Sequence, residues 1–222
     1  MKYPATLVCK LAAFFLISAI HIIRAQGISQ IDQNSFTEIQ GWRSAASDGI
    51  FEVYSATVLP VSLLIPAGLY GVSKIGKNKD SLALPAALKT TAAAGAGFLL
   101  SRAMKQLIER PRPYTTLTGV NPVKPLPDQW SMPSGHTSVA FSTAVALSLE
   151  YPRWEVITPA LLWAGGVGFS RVMLGHHYPG DVLAGAALGA GSAWLTRKAG
   201  KFLNTVRSRH PGKRKIRQST PQ

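Results

Sequence analysis

Residues 53–73, "VYSATVLPVSLLIPAGLYGVS", run for 21 positions without a charge. At about 1.5 Å per residue a helix of that length spans about 30 Å, the thickness of a bilayer's hydrocarbon core. Pro60 and Pro66 would break a helix in water but are tolerated in a membrane span. After the basic turn "KIGKNKDS", residues 82–101 form a second apolar run, in which Lys89 must snorkel or face the bundle. Shorter runs follow at 137–149, 156–170 and 182–196, lengths that equally suit buried helices of a soluble protein. The last carries Gly185 and Gly189 at GxxxG spacing, which permits close helix approach and calls for no role beyond packing. No stretch alternates with period two and no segment repeats. The pattern predicts an all-α protein, an integral membrane helical bundle with about five membrane helices.

Polar segments flank that core. Residues 1–26 hold Lys2 and Lys10, then apolar residues from Leu11 to Ile23 and the small Ala25, as a signal peptide or signal anchor does. Ile23 departs from the small residue usual two positions before a cleavage site. Residues 27–52 are mixed and predict a polar extracytoplasmic surface helix. Residues 53–197 form the expected core, and 198–222 a basic cytoplasmic tail.

Composition agrees with a membrane protein: 46% of residues are hydrophobic and 15% charged, against about 25% charged in soluble domains. The single cysteine, Cys9, excludes an internal disulfide framework and any cysteine-built zinc site. A net charge of +14 invites a nucleic-acid reading, but nine of the 24 basic residues fall in "RKAGKFLNTVRSRHPGKRKIRQSTPQ", directly after an apolar run. That placement suits an anchor beside anionic lipid. Phe202 is the one aromatic residue there, so the tail offers bases no stacking platform and nucleic acid is not an expected partner.

Three polar clusters interrupt the apolar chain: "SRAMKQLIERPRPY", "PSGH" and "SRVMLGHHYPGD". Each alone reads as a helix-end charge cluster, a cap or a polar loop. Together they supply cations, hydrogen-bond donors, histidines and a carboxylate, with no metal-binding spacing that stands out. That set suits phosphoryl transfer to histidine, with cations stabilising the charge.

On these residues the chain resembles the type 2 phosphatidic acid phosphatase family, which shares its core with vanadium haloperoxidases. Lys105, six residues, then Arg112-Pro113 matches the first family motif; Pro133-Ser134-Gly135-His136 the second; Ser170-Arg171, five residues, His177, three residues and Asp181 the third. The resemblance covers about residues 53–197 and leaves His176 one position off the motif, a bystander. The proline-rich loop between the first two motifs has no assigned role.

The resemblance implies His177 as nucleophile and a phosphohistidine intermediate. Asp181 would fix its tautomer and stabilise the imidazolium. His136 would protonate the leaving oxygen and later activate water. Lys105, Arg112, Arg171, Ser134 and the Gly135 amide would bind the phosphate, and neither a metal nor a cofactor is expected. If 53–73 run from outside to inside, Lys74, Lys77, Lys79 and the tail are cytoplasmic and the motifs face the exterior, or the periplasm of a bacterial inner membrane. Arg102, Lys105, Arg110, Arg112 and Lys124 then oppose the positive-inside rule, as phosphate-binding cations can. The expected activity is hydrolysis of a lipid phosphate or diphosphate. A soluble secreted acid phosphatase and a vanadate-dependent haloperoxidase are the alternatives. Phosphatidate, phosphatidylglycerol phosphate, a polyprenyl diphosphate and a lipid A phosphate all stay open as substrate.

Overall fold

The computed structural model of the chain describes residues 30–75 and 81–209. The expected signal or anchor at 1–26, Lys77, Lys79 and the end of the basic tail lie outside the described residues. Within them the chain forms α1 (Gln30–Gln40), α2 (Ala45–Ala56), α3 (Val58–Lys74), α4 (Ala83–Ile108), the short α5 (Pro113–Thr116), α6 (Gly135–Glu150), α7 (Trp154–Met173) and α8 (Pro179–Arg209). No strand occurs among the described residues, only an isolated bridge between Pro111 and Trp130.

Two boundaries differ from those expected. Residues 27–52 do not form one surface helix: the chain turns after Gln40, and Ser44 starts α2 with a reciprocal capping box to Ser47. α1 lies on the surface and is pinned there by Phe36, which is fully buried and meets the Tyr178 ring edge-on at 5.4 Å. The apolar helical stretch therefore begins at Ala45, eight residues before 53, and is broken at Thr57. Pro60 explains the break: it has no N–H for the Ala56 carbonyl, and its ring crowds that carbonyl. Trp163 Nε1 donates to Thr57 Oγ1 at 2.9 Å and ties the break to α7. The basic segment expected from 198 is no separate tail at its start, because α8 continues through it to Arg209.

Among the described residues, three stretches are long and apolar enough to cross a membrane: Ala45–Lys74, Ala83–Ile108 and Trp154–Met173. Leu63, Leu64, Leu162 and Leu183 are exposed on the outside of the bundle. The 16-residue α6 is the axle around which α4, α7 and α8 pack. Its inward face is small and hydroxylated rather than bulky. Ser138 Oγ donates to the Gly97 carbonyl on α4 (3.0 Å), Ser142 Oγ to the Gly189 carbonyl on α8 (3.2 Å), and Thr143 Oγ1 meets Ser62 Oγ on α3 (3.0 Å). In hydrocarbon, helices gain nothing by hiding apolar surface from water, so close packing and such bonds hold them together. At the far end, Lys89 faces the bundle and donates to Glu150 Oε2 at 2.6 Å.

The glycines of α8 set how close it comes. A Cβ on Gly189 would stand 2.3 Å from the Ser138 carbonyl oxygen, a backbone atom that cannot swing aside, whereas one on Gly191 meets nothing within 4 Å. Gly189→Ala is therefore expected to lower the thermal unfolding midpoint in detergent, by an overpacking cost of about 1–3 kcal/mol. Gly191→Ala is expected to leave the midpoint unchanged or raise it. Equal midpoints for the two variants would contradict this packing.

Candidate active site

A left-handed residue builds the first wall. α4 ends on Glu109 at φ 53°, with its N–H on the Lys105 carbonyl. The chain then reverses so that Ser131 N donates to the Arg110 carbonyl at 2.7 Å. This turn brings Arg110 and Arg112 back beside Lys105 and folds the proline-rich loop over them. Lys105 and Arg112 are buried together with Arg171 from the last turn of α7.

Lys105 and Arg112 close one side of a cavity of about 380 Å³. Lys105, Arg112, Asp128, Gly135, His136 and His177 supply its polar floor, while Val58, Leu59, Phe98, Leu126 and Val139 make an apolar wall. Arg171 Nη1 donates to Ser55 Oγ at 2.6 Å, and its Nε and Nη2 are buried without a partner. Gly135 opens α6 with its backbone facing the cavity. Ser134, by contrast, is fully buried: its N–H donates to the Asp181 carbonyl at 2.9 Å and its hydroxyl accepts from Thr137 at 2.8 Å. That hydroxyl, expected at a phosphate, accepts a bond from α6 and does not line the cavity.

His177 Nε2 lies 3.3 Å from Arg112 Nη1, so Nε2 is the acceptor and the proton belongs on Nδ1. Nδ1 faces Asp181 Oδ2 at 3.6 Å, beyond hydrogen-bond length. The expected pairing is thus present as an alignment, and other groups hold the carboxylate. Tyr178 N–H donates to Oδ2 at 2.9 Å and Arg110 Nη1 to Oδ1 at 2.7 Å. Arg110 lies 4.2 Å over the Tyr178 ring, and its Nη2 donates to Asp32 Oδ2 at 2.7 Å. Asp32 Oδ1 in turn accepts from Gly180 N–H at 2.8 Å. An aspartate of α1 thereby locks the first turn of α8 and the arginine that orients Asp181.

Burial and the crowd of cations depress every site histidine. His177 is held well below its ordinary value first by burial, then by Arg112 and Arg171. The ring of His136 opens to the cavity, yet the protein around it and then Arg171 and Lys105 push its pKa down too. His176 falls to about 3 for the same reasons; its Nε2 sits 2.7 Å from the Lys124 carbonyl, off the cavity. Asp181 goes the other way: burial lifts it to about 6 against the pull of Arg110. For Asp128 burial also works against ionisation, but its bond to Lys105 and the charges of Lys105 and Arg112 outweigh it and hold the carboxyl below its usual range.

Sequence reasoning missed Asp128, Asp32, Ser55 and the bridging role of Arg110. Asp128 bonds Lys105 Nζ at 2.7 Å and pairs with Arg112 Nη2. One signal pointed to it: no other acidic residue occurs between Glu109 and Glu150, in a stretch holding three cations, Arg110, Arg112 and Lys124. Nothing in the sequence ties Asp32 to Arg110, 78 residues away.

The model of the PAP2 superfamily matches residues 86–204, over half the chain. The undecaprenyl-diphosphatase of Sulfolobus acidocaldarius is 34% identical over 98 residues, 44% of this chain and 47% of that one. The lipid A 1-phosphatase of Rhizobium johnstonii is 43% identical over 67 residues, 30% of this chain and 26% of its own. The matches thus span half or less of these relatives. Among solved structures, the transmembrane PAP2-type phosphatidylglycerolphosphate phosphatase of Bacillus subtilis superposes with a TM-score of 0.63 at 25% identity, covering 86% of this chain and 96% of that one. With its apolar helices and this transmembrane neighbour, the chain is an integral membrane protein.

The two adjacent histidines are expected to be opposite tautomers. Nitrogen-15 spectra of histidine-labelled protein in detergent, assigned with a His177→Gln variant, should show His177 neutral with its proton on Nδ1 from pH 5 to 8. His176 should carry its proton on Nε2. A His177 that titrates near 6.5 would contradict the burial described here.

Proposed function

The chain belongs to the PAP2 superfamily, and on that premise we propose that it removes a terminal phosphate from a lipid phosphate or diphosphate. One observation carries this reading: a floor of cations and histidines meets an apolar wall inside a single cavity. Such a cavity suits a phosphate on an apolar anchor. Leu59 and Phe98 of that wall are also exposed on the flank of the bundle, the side from which a lipid would enter. The relatives are named for a polyprenyl diphosphate, a lipid A 1-phosphate and a phosphatidylglycerolphosphate, which share only the terminal phosphate and the apolar anchor.

In the proposed reaction the Nε2 lone pair of His177 attacks phosphorus, the bond to the leaving oxygen breaks, and His136 gives that oxygen its proton. Water then attacks the phosphohistidine, passes its proton to His136, and the P–N bond breaks to free phosphate. Lys105, Arg112, Arg171 and the Gly135 amide hold the phosphate oxygens. Asp181, aimed at Nδ1, stabilises the imidazolium of the attack. The three cations take the place a metal would hold, and the motifs face the exterior.

Purified protein in detergent should release phosphate from lipid phosphates far faster than from soluble esters, and a chelator should not stop it. Equal rates on both classes, or loss on chelation restored by magnesium, would overturn the reading. His177→Ala should abolish turnover. His136→Ala should cost about 10²–10⁴-fold on lipid substrates, less on an activated aryl phosphate, and should let an acid-labile phosphoenzyme accumulate.

The depressed histidines also determine a pH dependence. With the His136 pKa pushed down to about 3 by the surrounding protein and then by Arg171 and Lys105, the ring is neutral near pH 7 and a proton must arrive with each phosphate. kcat/KM should therefore fall as pH rises past the second phosphate pKa, about 6. That limb should shift with the pKa of the substrate used. A limb fixed at one pH for all substrates would mean that an enzyme group sets it.

A further inference from the structure

The cations proposed to bind phosphate are not waiting empty. Lys105 Nζ donates to Asp128 Oδ2 at 2.7 Å and to the Trp130 carbonyl at 2.6 Å. Arg112 gives Nε to the Asp128 carbonyl at 2.9 Å, Nη2 to Asp128 Oδ1, and Nη1 to the His176 carbonyl and His177 Nε2. Of the three cations, only Arg171 has buried nitrogens that make no hydrogen bond at all. A phosphate therefore competes with the Asp128 carboxylate for Lys105 and Arg112, and takes their charge-assisted bonds only as that carboxylate leaves them.

The surroundings provide a place for it to go. A second cavity, of about 370 Å³, lies beside the first, and Arg102, Lys105, Pro127 and Asp128 line both. The Asp128–Lys105 pair is thus the partition between them. Arg102 Nη1 already stands 3.7 Å from Asp128 Oδ2, and its side chain is 54% exposed, free to follow the carboxylate. Asp128 sits on the stretch between Leu117 and Ser134, which has no helix to resist a rotation.

We propose that Asp128 is a specificity-determining residue: its carboxylate stands in for a phosphate on Lys105 and Arg112, and only a terminal phosphate displaces it. This rests on the phosphatase reading above. A terminal phosphate presents three unesterified oxygens and reaches a charge of −2 once its last proton passes to His136. A phosphodiester, the headgroup linkage of bulk membrane phospholipids, presents two such oxygens and stays at −1. Against an internal carboxylate of −1 the diester gains no charge, whereas the terminal phosphate gains one charge and one oxygen for Arg171. Without Asp128, three clustered cations at a membrane surface would be filled by whatever diester lipid is most abundant.

The test is inhibition of phosphate release in detergent micelles by inorganic phosphate and by phosphatidylglycerol, with equal mole fractions of uncharged diacylglycerol as the dilution control. Asp128→Asn should lower the Ki of inorganic phosphate about tenfold or more, since charge-assisted bonds no longer compete. It should also make the enzyme sensitive to phosphatidylglycerol beyond dilution, where wild type is indifferent. Asp128→Glu, which keeps the charge, should resemble wild type. Arg102→Gln, which removes the group that receives the displaced carboxylate, should raise the Ki, and this arm decides if Asp128→Asn does not fold. An unchanged or raised Ki in Asp128→Asn, an equal shift in Asp128→Glu, or an unchanged or lowered Ki in Arg102→Gln overturns the proposal and leaves Asp128 as a mere organiser of the cations. Inorganic phosphate without effect on any of the four proteins would instead defeat the phosphatase reading itself.

Discussion

Lys105, Arg112 and Arg171 converge within one buried site, and their mutual repulsion in a poorly hydrated environment is the constraint around which the rest is arranged. Charges of one sign cannot be gathered out of water without compensation. The chain has ten acidic residues against 24 basic ones, so each carboxylate near the site has a defined task. Three of its five aspartates are there. Asp128 balances Lys105 and Arg112, Asp181 stands behind His177, and Asp32 takes half of Arg110 so that Asp181 is not its only anion. The depressed pKa values of His136, His176 and His177 follow from burial first and from this crowding second.

Bringing those groups together demands helices closer than ordinary side chains allow. Asp181 and His136 belong to the first turns of α8 and α6, whose approach is set by Gly185 and Gly189 against the backbone of Ser134 and Ser138. A Cβ on Gly185 would lie 2.6 Å from the Ser134 carbonyl, at the very turn that carries His136. Helix packing and site geometry are therefore one problem. The Ser134 N–H on the Asp181 carbonyl is the bond that joins the two turns.

What was legible beforehand follows physical range. Local signals read well for the fold, since apolar runs gave the membrane helices; the motifs of the resembled family pointed to Lys105, Arg112, His136, Arg171, His177 and Asp181, and the fold brings these residues to one cavity or directly behind it. The GxxxG glycines were read as packing, and pack they do. Signals that depend on three dimensions were lost. Ser134 was read from its place at a helix start, but its hydroxyl follows Thr137, a partner one turn on. The break at Thr57 hid because an uninterrupted apolar run conceals what Pro60 does to the carbonyl of Ala56. Asp32 looked like one polar residue in a mixed segment, because its partners lie on α8 and in the turn after α4. Asp128 was passed over because a proline-rich loop looks like a spacer until it folds over two cations.

Charge also marks two levels along the bundle. On α4, Lys105 at the site and Lys89 are sixteen residues apart; on α6, His136 and Glu150 fourteen; on α8, Asp181 and Arg197 sixteen. These separations correspond to about 24, 21 and 24 Å of helix rise. At the far level Lys89 and Arg197 both address Glu150, at 2.6 and 3.9 Å. Three helices thus carry matched polar groups at two heights, with an apolar slab between them that is thinner than the about 30 Å of a typical hydrocarbon core. Such a mismatch is met by local thinning of the bilayer or by placing the polar groups slightly inside it. On the proposed lipid-phosphatase reading, either way would put the site at or below the edge of the hydrocarbon, where water is scarce and an uncompensated cation is costly. In that setting the depth that would bring the cations level with a lipid's phosphate is the same depth that would oblige the protein to keep Asp128 and Asp32 close at hand.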